Sequence, residues 1–371
     1  MAKVLTEGPL AGVKVLEASS YVSGPFATLS LADLGAEVTK VEPPSGDPYR
    51  RFGPQDDGRG RAGGPMFRAI NRNKTAVVLD LKTEEGVGDL HRLLDEADVL
   101  LSNWRPAVAA GFGLDPAQVE RRWPRLVWVR VSGYGQHGPD ADLPAFDAVI
   151  QARTGLVTAP AGGPPGLLPM YLVDKVTAVT AAQAAIAGLF QRSTTGRGTV
   201  ADVAMLDAMA YFNAPDVTAG HQSPEHVDDR VRRHITTPRP LPTTDGAIVV
   251  SPVSGRQLKR ALEAAGIGDA AARLRDMPDA TLMAQKFYEE LGVAVAKEST
   301  GHWVRALSEA DVPVTAVLNV EDHLHEAQVV HNGIYRIVSE PGGHTVRRPR
   351  YPALFGGQSV DTADLPAPSL P

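Results

Sequence analysis

The sequence predicts an α/β protein: a large parallel sheet covered by helices, followed by a smaller α/β module. Three observations carry this reading. Strand-length apolar runs alternate with helix-length amphipathic segments from residue 10 to residue 135, the pattern of consecutive βαβ units. The alternation stops after Met209 in a polar stretch, "NAPDVTAGHQSPEHVDDRVRRHITTPRP", and resumes at "DGAIVVSPV". A chain of 371 residues also exceeds what one core ordinarily organises.

Taken in order, "GVKVLEAS" (Gly12 to Ser19) reads as a strand and "SGPFATLSLADLG" as a helix with Pro25 in its first turn. "AEVTKVE" is the next strand. "TAVVLDL" is a strand, "KTEEGVGDLHRLLDEA" a helix with Leu90, Leu93 and Leu94 on one face, and "DVLLSN" a further strand. "PAQVERRW" is a short helix and "RLVWVRVSGYG" a strand ending in glycines. Ligands of such sheets gather beyond the strand carboxyl ends, so the site is expected at "ASSYVSGP", "VEPPSGDPYRR", "SNWRP" and "VSGYGQ". The second module is expected to combine the strand in "DGAIVVSPV" with helices in "GRQLKRALEAAG", "MAQKFYEELGVAVAKE" and "GHWVRALSEAD". The tail "GIYRIVSEPGGHTVRRPRYPALFGG" is strand-like again.

Composition removes several function classes. The net charge of −6 with both signs abundant offers no whole-chain field for nucleic acid or an anionic membrane. Cysteine is absent, which excludes disulfides, thiolate nucleophiles and Cys-ligated metals and fits a cytoplasmic setting. The start "MAKVLTEGPLAGVKVLE" lacks the apolar core of an export signal. The most apolar run, Val176 to Phe190, is interrupted by Thr177, Thr180 and Gln183 and is shorter than the ~20 residues that span a bilayer, so a buried helix is expected. "HLH" at 323 to 325 has no partner at a metal-binding spacing, and neither a G-x-S-x-G elbow nor a P-loop is present. No metal site is expected.

Two places invite chemistry. Arg50, Arg51, Arg59, Arg61, Arg68, Arg72 and Lys74 make residues 50 to 74 basic, as a phosphate-rich ligand would require, but interspersed Asp47, Asp56 and Asp57 favour a solvated loop. In "LLPMYLVDKVTAVTAAQAAIAGLFQR", residues 167 to 173 read as the end of a buried strand and the Ala-rich run from Lys175 as a helix. Asp174 then stands at the joint. It is either a helix cap, favoured there by about 0.3–1 kcal/mol, or a carboxylate nucleophile, and sequence physics alone does not choose.

The chain resembles the family III CoA-transferases, the group that includes formyl-CoA transferase and the carnitine and bile-acid CoA-transferases. The resemblance lies in "PLAGVKVLEASSYVSGPFATLSLADLGAEVTKVEPPSGDPYR", "NRNKTAVVLDLKTEEG", "SNWRPAVAAGFGLD", "VSGYGQHGP", "FDAVIQARTGL", "LVDKVTAVTAAQAAIAGLFQRSTTGRGTVADVAMLDAM" and "ADVPVTAVLNVEDHLHEAQVVHNG". These stretches keep the family's order over nearly the whole chain.

The resemblance implies a Rossmann-like large domain built from both ends of the chain (residues 1–215, with 326–371 returning to it). It also implies a linker at 216–240, a small α/β domain at 241–325, and a homodimer of two chains threaded through each other like links. It implies a transfer of CoA from an acyl-CoA thioester to a carboxylic acid, with coenzyme A as substrate and no permanently bound cofactor. Asp174 falls where the family has its nucleophile, which forms an aspartyl anhydride and then an aspartyl-CoA thioester. The "SSYVSGP" turn is expected to offer N–H groups to the oxyanions.

By the same carry-over Ser20, Tyr21 and Val22 line the thioester end, while Leu79, Asp80, Leu81, Lys82, Asn103, Trp104 and Arg105 hold the CoA. Asp147 matches an often acidic position and is either an assistant to the site or an N-cap. "AGGPPG" at 161 to 166 is either a glycine-rich element near the acyl group or a surface loop.

Two departures from formyl-CoA transferase stand out. Gly111 replaces an arginine on the CoA nucleotide, and Val22 replaces a glutamine near the thioester, which argues for an acyl group less polar than formyl or oxalyl. The related α-methylacyl-CoA racemases place a histidine immediately before the aspartate where this chain has Phe146-Asp147, which disfavours racemisation. A catalytically silent CoA-binding paralogue is the third alternative.

Overall fold

The computed structural model describes residues 4–5, 8–53, 63–157, 166–221, 238–340, 345–360 and 364–370. The chain divides into two compact units, one of residues 1–213 with 331–371, the other of residues 214–330.

In the first unit a short strand β1 (Val4–Leu5) pairs with residues 359–360. The sheet proper has six strands: β2 (Lys14–Ala18), β3 (Glu37–Glu42), β4 (Lys74–Val78), β5 (Val99–Ser102), β6 (Val127–Ser132) and β7 (Val200–Ala204). Their order is β4-β3-β2-β5-β6-β7, and every pairing is parallel. The chain therefore reverses its direction of winding between β2 and β5, which opens a crevice beyond the carboxyl ends of those two strands.

Helices α1 (Ser23–Asp33) and α2 (Pro65–Asn71) follow β2 and β3. α3 (Glu84–Glu96), α4 (Pro106–Gly111) and α5 (Pro116–Arg122) come next, then α6 (Asp147–Arg153), α7 (Leu172–Thr195) and α8 (Met205–Asn213). One face of the sheet buries Val15, Val38, Leu101, Val127 and Val129 against Leu31 of α1 and Ala178, Ala181 and Ala185 of α7. The other buries Leu16, Leu100 and Trp128 with Leu90 and Leu94 of α3 and Val119 of α5. The apolar face expected of α3 is the one it buries.

The structure corrects the sequence reading in several places. Strand β7 and helices α2, α4 and α8 are additional to the elements expected; β7 alternates poorly, with three of its five residues only half-buried or exposed. Residues 167–171 are not a strand: Leu167, Leu168, Met170 and Tyr171 are exposed, and α7 already begins at Leu172. That helix has 24 residues, longer than the run expected from its apolar core, and by length and composition alone it could cross a bilayer. It lies instead on the sheet, so close that a Cβ at Gly188 would stand 2.6 Å from Val127 Cγ1. Of the expected 216–240 linker, residues 222–237 lie outside the described residues; 214–218 and 219–221 form single turns of helix.

The second unit has a three-stranded antiparallel sheet of Leu241–Pro242, Ala247–Val250 and Val314–Ala316. Helices Gly255–Ala264, Ala280–Val295 and Thr300–Glu309 close a core around Ile248, Phe287, Leu291 and Trp303.

Three of the basic residues of 50–74, Arg50, Arg72 and Lys74, are neither a phosphate cradle nor solvated, whereas Arg51 is exposed. Lys74 and Lys40 are fully buried against Glu17, at 2.8 and 2.7 Å. Arg50 chelates Glu42, Nη2 to Oε1 at 2.5 Å and Nε to Oε2 at 2.7 Å. Arg72 does the same to Asp33. Arg59 and Arg61 lie outside the described residues. Glu17 also accepts from Thr28 Oγ1 of α1 at 2.6 Å and from Ser19 Oγ at 3.2 Å. Burial alone would raise the Glu17 carboxyl, but Lys40 and Lys74 hold it down at about 2. Burial pulls Lys74 down to about 8 against the attraction of Glu17.

Glu17→Ala leaves two ammonium groups facing each other in the core, so it should cost about 3–5 kcal/mol in denaturant unfolding. A loss below about 0.5 kcal/mol would show that this network does not hold β2, β3 and β4 together.

Candidate active site

The three elements that meet at the site are each held by side chains that the sheet positions. After β2, Tyr21 takes a left-handed φ of 65°. That conformation is disfavoured for a residue with a Cβ, and its surroundings must impose it. Asp47 does so by accepting the Tyr21 N–H at 3.2 Å while pairing with Lys40 at 2.9 Å. Asp47 is itself the N-cap of the single turn Pro48–Arg51, accepting from Tyr49 N at 2.9 Å. The turn packs tightly, since a Cβ on Gly24 would strike Ser19 Oγ. Its product is the placement of Ser23, the first residue of α1, whose hydroxyl donates to Asp174 Oδ1.

Asp174 is the third residue of α7, whose N-cap is Tyr171, so it is not the cap. Its own N–H donates to Asp147 Oδ2 at 3.1 Å. Asp147 is not a cap either: Phe146 occupies that position, and Asp147 is the first residue of α6, 4% exposed. Its second oxygen accepts from Gln151 Nε2 at 2.5 Å. Burial pushes the Asp174 carboxyl from 3.8 up to about 6; the Ser23 hydroxyl opposes this and the nearby Asp147 charge adds to it. Rings gather beside the pair. Tyr21 stands edge-on to Phe146 at 5.1 Å and to Phe52 at 6.2 Å, and Tyr49 lies 5.2 Å from Phe52.

A cavity of about 590 Å³ opens at the strand carboxyl ends. Seven of the residues singled out from sequence line it: Ser20, Leu79, Asp80, Leu81, Lys82, Asn103 and Trp104. Ser20 and Asn103 close the crevice between β2 and β5 reciprocally, Ser20 N to Asn103 Oδ1 at 3.2 Å and Asn103 Nδ2 to Ser20 O at 3.0 Å. Trp104 stands edge-on to Phe112 at 5.0 Å on its wall. Tyr21 and Val22 do not line it; they form the turn toward Ser23. Arg105 is the exposed N-cap of α4 and is not in the lining. Gly111 is exposed with open space around it.

The N–H groups of Ser20 and Tyr21 are taken by Asn103 and Asp47, so these two members of the "SSYVSGP" turn are engaged within the fold. Sequence reasoning missed Ser23, Asp47 and Gln151. The signals were present: Asp47-Pro48 is a capping pair, and Gln151 lies four residues after Asp147 on one helix face. Residues 158–165, which include most of "AGGPPG", lie outside the described residues.

The strand order and the crevice at its reversal define an α/β enzyme with the architecture of nucleotide-binding sheets. The chain belongs to CoA-transferase family III, whose sequence profile matches residues 10–370, and it is a CoA-transferase of that class. It is 28% identical to succinyl-CoA:glutarate CoA-transferase of Mus musculus, covering 90% of this chain and 77% of the relative. It is 30% identical to cinnamoyl-CoA:phenyllactate CoA-transferase of Clostridium sporogenes, covering 93% and 86%. The crystal structure of a CAIB/BAIF family protein from Brucella suis superposes with a TM-score of 0.82 at 27% identity, covering 98% of this chain and 97% of that one.

A carboxyl held at about 6 in the fold and near 3.8 when unfolded binds more protons in the native state between those values. Its ionisation therefore costs stability as pH rises through that window. Asp174→Asn should accordingly raise stability by up to about 3 kcal/mol at pH 8, with the gain shrinking below pH 6 and gone near pH 4. Thermal unfolding of both proteins across pH 4–8 measures it; a gain independent of pH would contradict the raised carboxyl.

Proposed function

We propose that the protein transfers CoA from an acyl-CoA to a carboxylic acid through covalent intermediates on Asp174. The observation that carries this reading is the seating of Asp174, half-buried, bonded by Ser23 and set beside Asp147, with a carboxyl near 6. At neutral pH it is ionised, yet more basic than an ordinary aspartate, as a carboxylate nucleophile needs to be.

One Asp174 oxygen attacks the thioester carbonyl; the C–S bond breaks, CoA leaves as thiolate and a mixed anhydride remains. The thiolate attacks the aspartyl carbonyl of that anhydride, releasing the donor's carboxylate and leaving an aspartyl-CoA thioester. The acceptor carboxylate attacks this thioester, expelling the thiolate and forming a second anhydride. Attack of the thiolate on the acceptor's acyl carbon then yields the new acyl-CoA and regenerates Asp174. Every step conserves the activation held in the thioester, so no metal or redox group is required by the arithmetic of the cycle.

The N–H groups that open any α-helix without an intrahelical partner are supplied here by the first turn of α1, which begins at Ser23 inside the "SSYVSGP" segment, and these serve the oxyanions. Asp147, bonded to the Asp174 N–H, holds the nucleophile's backbone in place. The cavity at the β2–β5 crevice takes the CoA, its apolar wall of Leu79, Trp104 and Phe112 against the pantetheine and Lys82 against phosphate.

Val22 is 6% exposed within the ringed turn, which supports an acyl group less polar than formyl or oxalyl. The relatives named above act on succinyl and glutaryl groups or on cinnamoyl and phenyllactyl groups. Phe146 stands where the racemase reading needs an imidazole, which favours transfer. A homodimer completes the reading: a groove of about 920 Å³ lined by Phe26, Leu29, Val179, Ile186, Ile334 and Pro349 is an apolar surface fit for a second copy of the chain.

Incubation with acetyl-, succinyl- and cinnamoyl-CoA followed by hydroxylamine should leave a hydroxamate on the peptide containing Asp174, and Asp174→Ala should abolish transfer while CoA still binds. Transfer at wild-type rate by Asp174→Ala sinks the nucleophile assignment. Lys82→Ala should raise KM for the acyl-CoA roughly tenfold at unchanged kcat, as loss of one charge-assisted phosphate contact does. An unchanged KM would place the phosphates elsewhere.

A further inference from the structure

The mechanism above uses Asp174, Ser23 and Asp147 and leaves a fourth buried polar side chain without a task. Gln151 is 1% exposed, on the face of α6 that carries Asp147 one helical turn earlier. Both ends of its amide are engaged. Nε2 donates to Asp147 Oδ1 at 2.5 Å and to Met170 O at 3.2 Å, with Leu168 O at 3.5 Å. Oε1 accepts from Leu168 N at 3.0 Å.

We propose that Gln151 is a positioning residue that locks Asp147 in the orientation that holds the nucleophile and fixes the chain segment entering α7. This inference rests on the transferase reading of Asp174. An isolated carboxylate rotates about its Cβ–Cγ bond. Asp147 cannot, because Gln151 takes one oxygen and the Asp174 N–H takes the other.

The same amide supplies hydrogen-bond partners to the backbone at Leu168 and Met170, in a segment with no regular structure of its own before Leu172. Tight local bonds, Met170 N to Leu168 O at 2.8 Å and Leu172 N to Met170 O at 2.9 Å, carry that constraint into the start of α7. Asp174 sits two residues further on. Its main chain is thus held from two sides, by Asp147 and by the 168–172 turns, and Gln151 is the one group bonded to both. Neither glutamate nor leucine can replace it: glutamate sets a third carboxylate against Asp147, and leucine strands the Leu168 N–H and one Asp147 oxygen.

The test uses full-length Gln151→Leu and Gln151→Glu beside wild type and Asp174→Ala. Free CoA binding by calorimetry and far-UV circular dichroism establish that each is folded, and transfer is followed across pH 5–9 with whichever of acetyl-, succinyl- or cinnamoyl-CoA the wild type uses. Gln151→Leu should bind CoA within about twofold of wild type and keep its KM, while kcat falls roughly tenfold or more, the signature of a displaced nucleophile. Gln151→Glu should shift the acid limb of the rate profile upward, because added negative charge beside the carboxyl pair favours protonated Asp174.

If both folded variants keep wild-type kcat and an unmoved acid limb while Asp174 is still trapped by hydroxylamine, Gln151 is a packing residue and the inference fails alone. If Asp174→Ala retains turnover, the nucleophile reading fails and takes this inference with it.

Discussion

The first unit depends on a charge cluster sealed inside it. Glu17 and Lys40 face each other in register across β2 and β3, and Lys74 reaches the same carboxylate from β4. Three adjacent parallel strands are therefore tied at one depth, and the tie extends outward. Thr28 brings in α1, the Lys74 ammonium also donates to Pro25 O, and Lys40 donates to Ser19 O and pairs with Asp47. Each of these contacts borders the turn from Ser19 to Ser23. An apolar core of equal volume would pack the strands at least as favourably, since desolvating charges offsets most of their attraction. It would not hold a non-glycine residue at φ 65°, which requires a directional acceptor at a fixed place; Asp47, anchored on Lys40, is that acceptor.

Two carboxylates near this turn, Glu17 fully buried and Asp174 half-buried, show how environment sets protonation. Glu17 is surrounded by ammonium groups and sits at about 2, locked in its charged form. Asp174 has a hydroxyl, a second carboxylate and, among the described residues, no ion-pair partner, and sits at about 6. The start of a 24-residue helix favours its ionised form by about 0.3–1 kcal/mol, yet a rise of that size corresponds to about 3 kcal/mol, so desolvation outweighs the helix dipole. A carboxyl left near neutrality by that balance has both a substantial ionised fraction and more basicity than a solvated aspartate. The two carboxylates differ chiefly by their neighbours.

Much of this was legible in the sequence, and the parts that were not share a cause. Strands with short consecutive apolar runs, such as Val99–Ser102, and helices with one clear apolar face, such as Glu84–Glu96, declare themselves by pattern. β7 does not, because an edge strand half open to solvent has a weak pattern. Residues 167–171 read as a strand because five of the seven from Leu167 to Val173 are aliphatic or Met, but their side chains are exposed and their backbone is held by Gln151 instead of by a neighbouring strand. The basic run at 50–74 looked like a surface because its partners, Glu17, Asp33 and Glu42, lie eight or more residues away along the chain and meet it only through the sheet. Local pattern reports periodicity; it does not report which distant carboxylate has been set opposite a lysine.

That diversion of charge shapes the cavity. Of the basic residues near the strand ends, Lys40, Arg50, Arg72 and Lys74 are all engaged internally, and Gly111 offers no side chain. Lys82 is the one cation in the cavity lining among the described residues. The rest of that lining is mainly Leu79, Trp104, Phe112 and the prolines 43, 44 and 48, so a ligand there would bind largely through buried apolar area, which depends little on ionic strength. The fold uses the positive charge of Lys40 and Lys74 to fix the turn that carries Ser23, and leaves the cavity wall mostly apolar. Placement of Ser23 beside Asp174 and the apolar character of the cavity are in this way assigned to different parts of the same sheet.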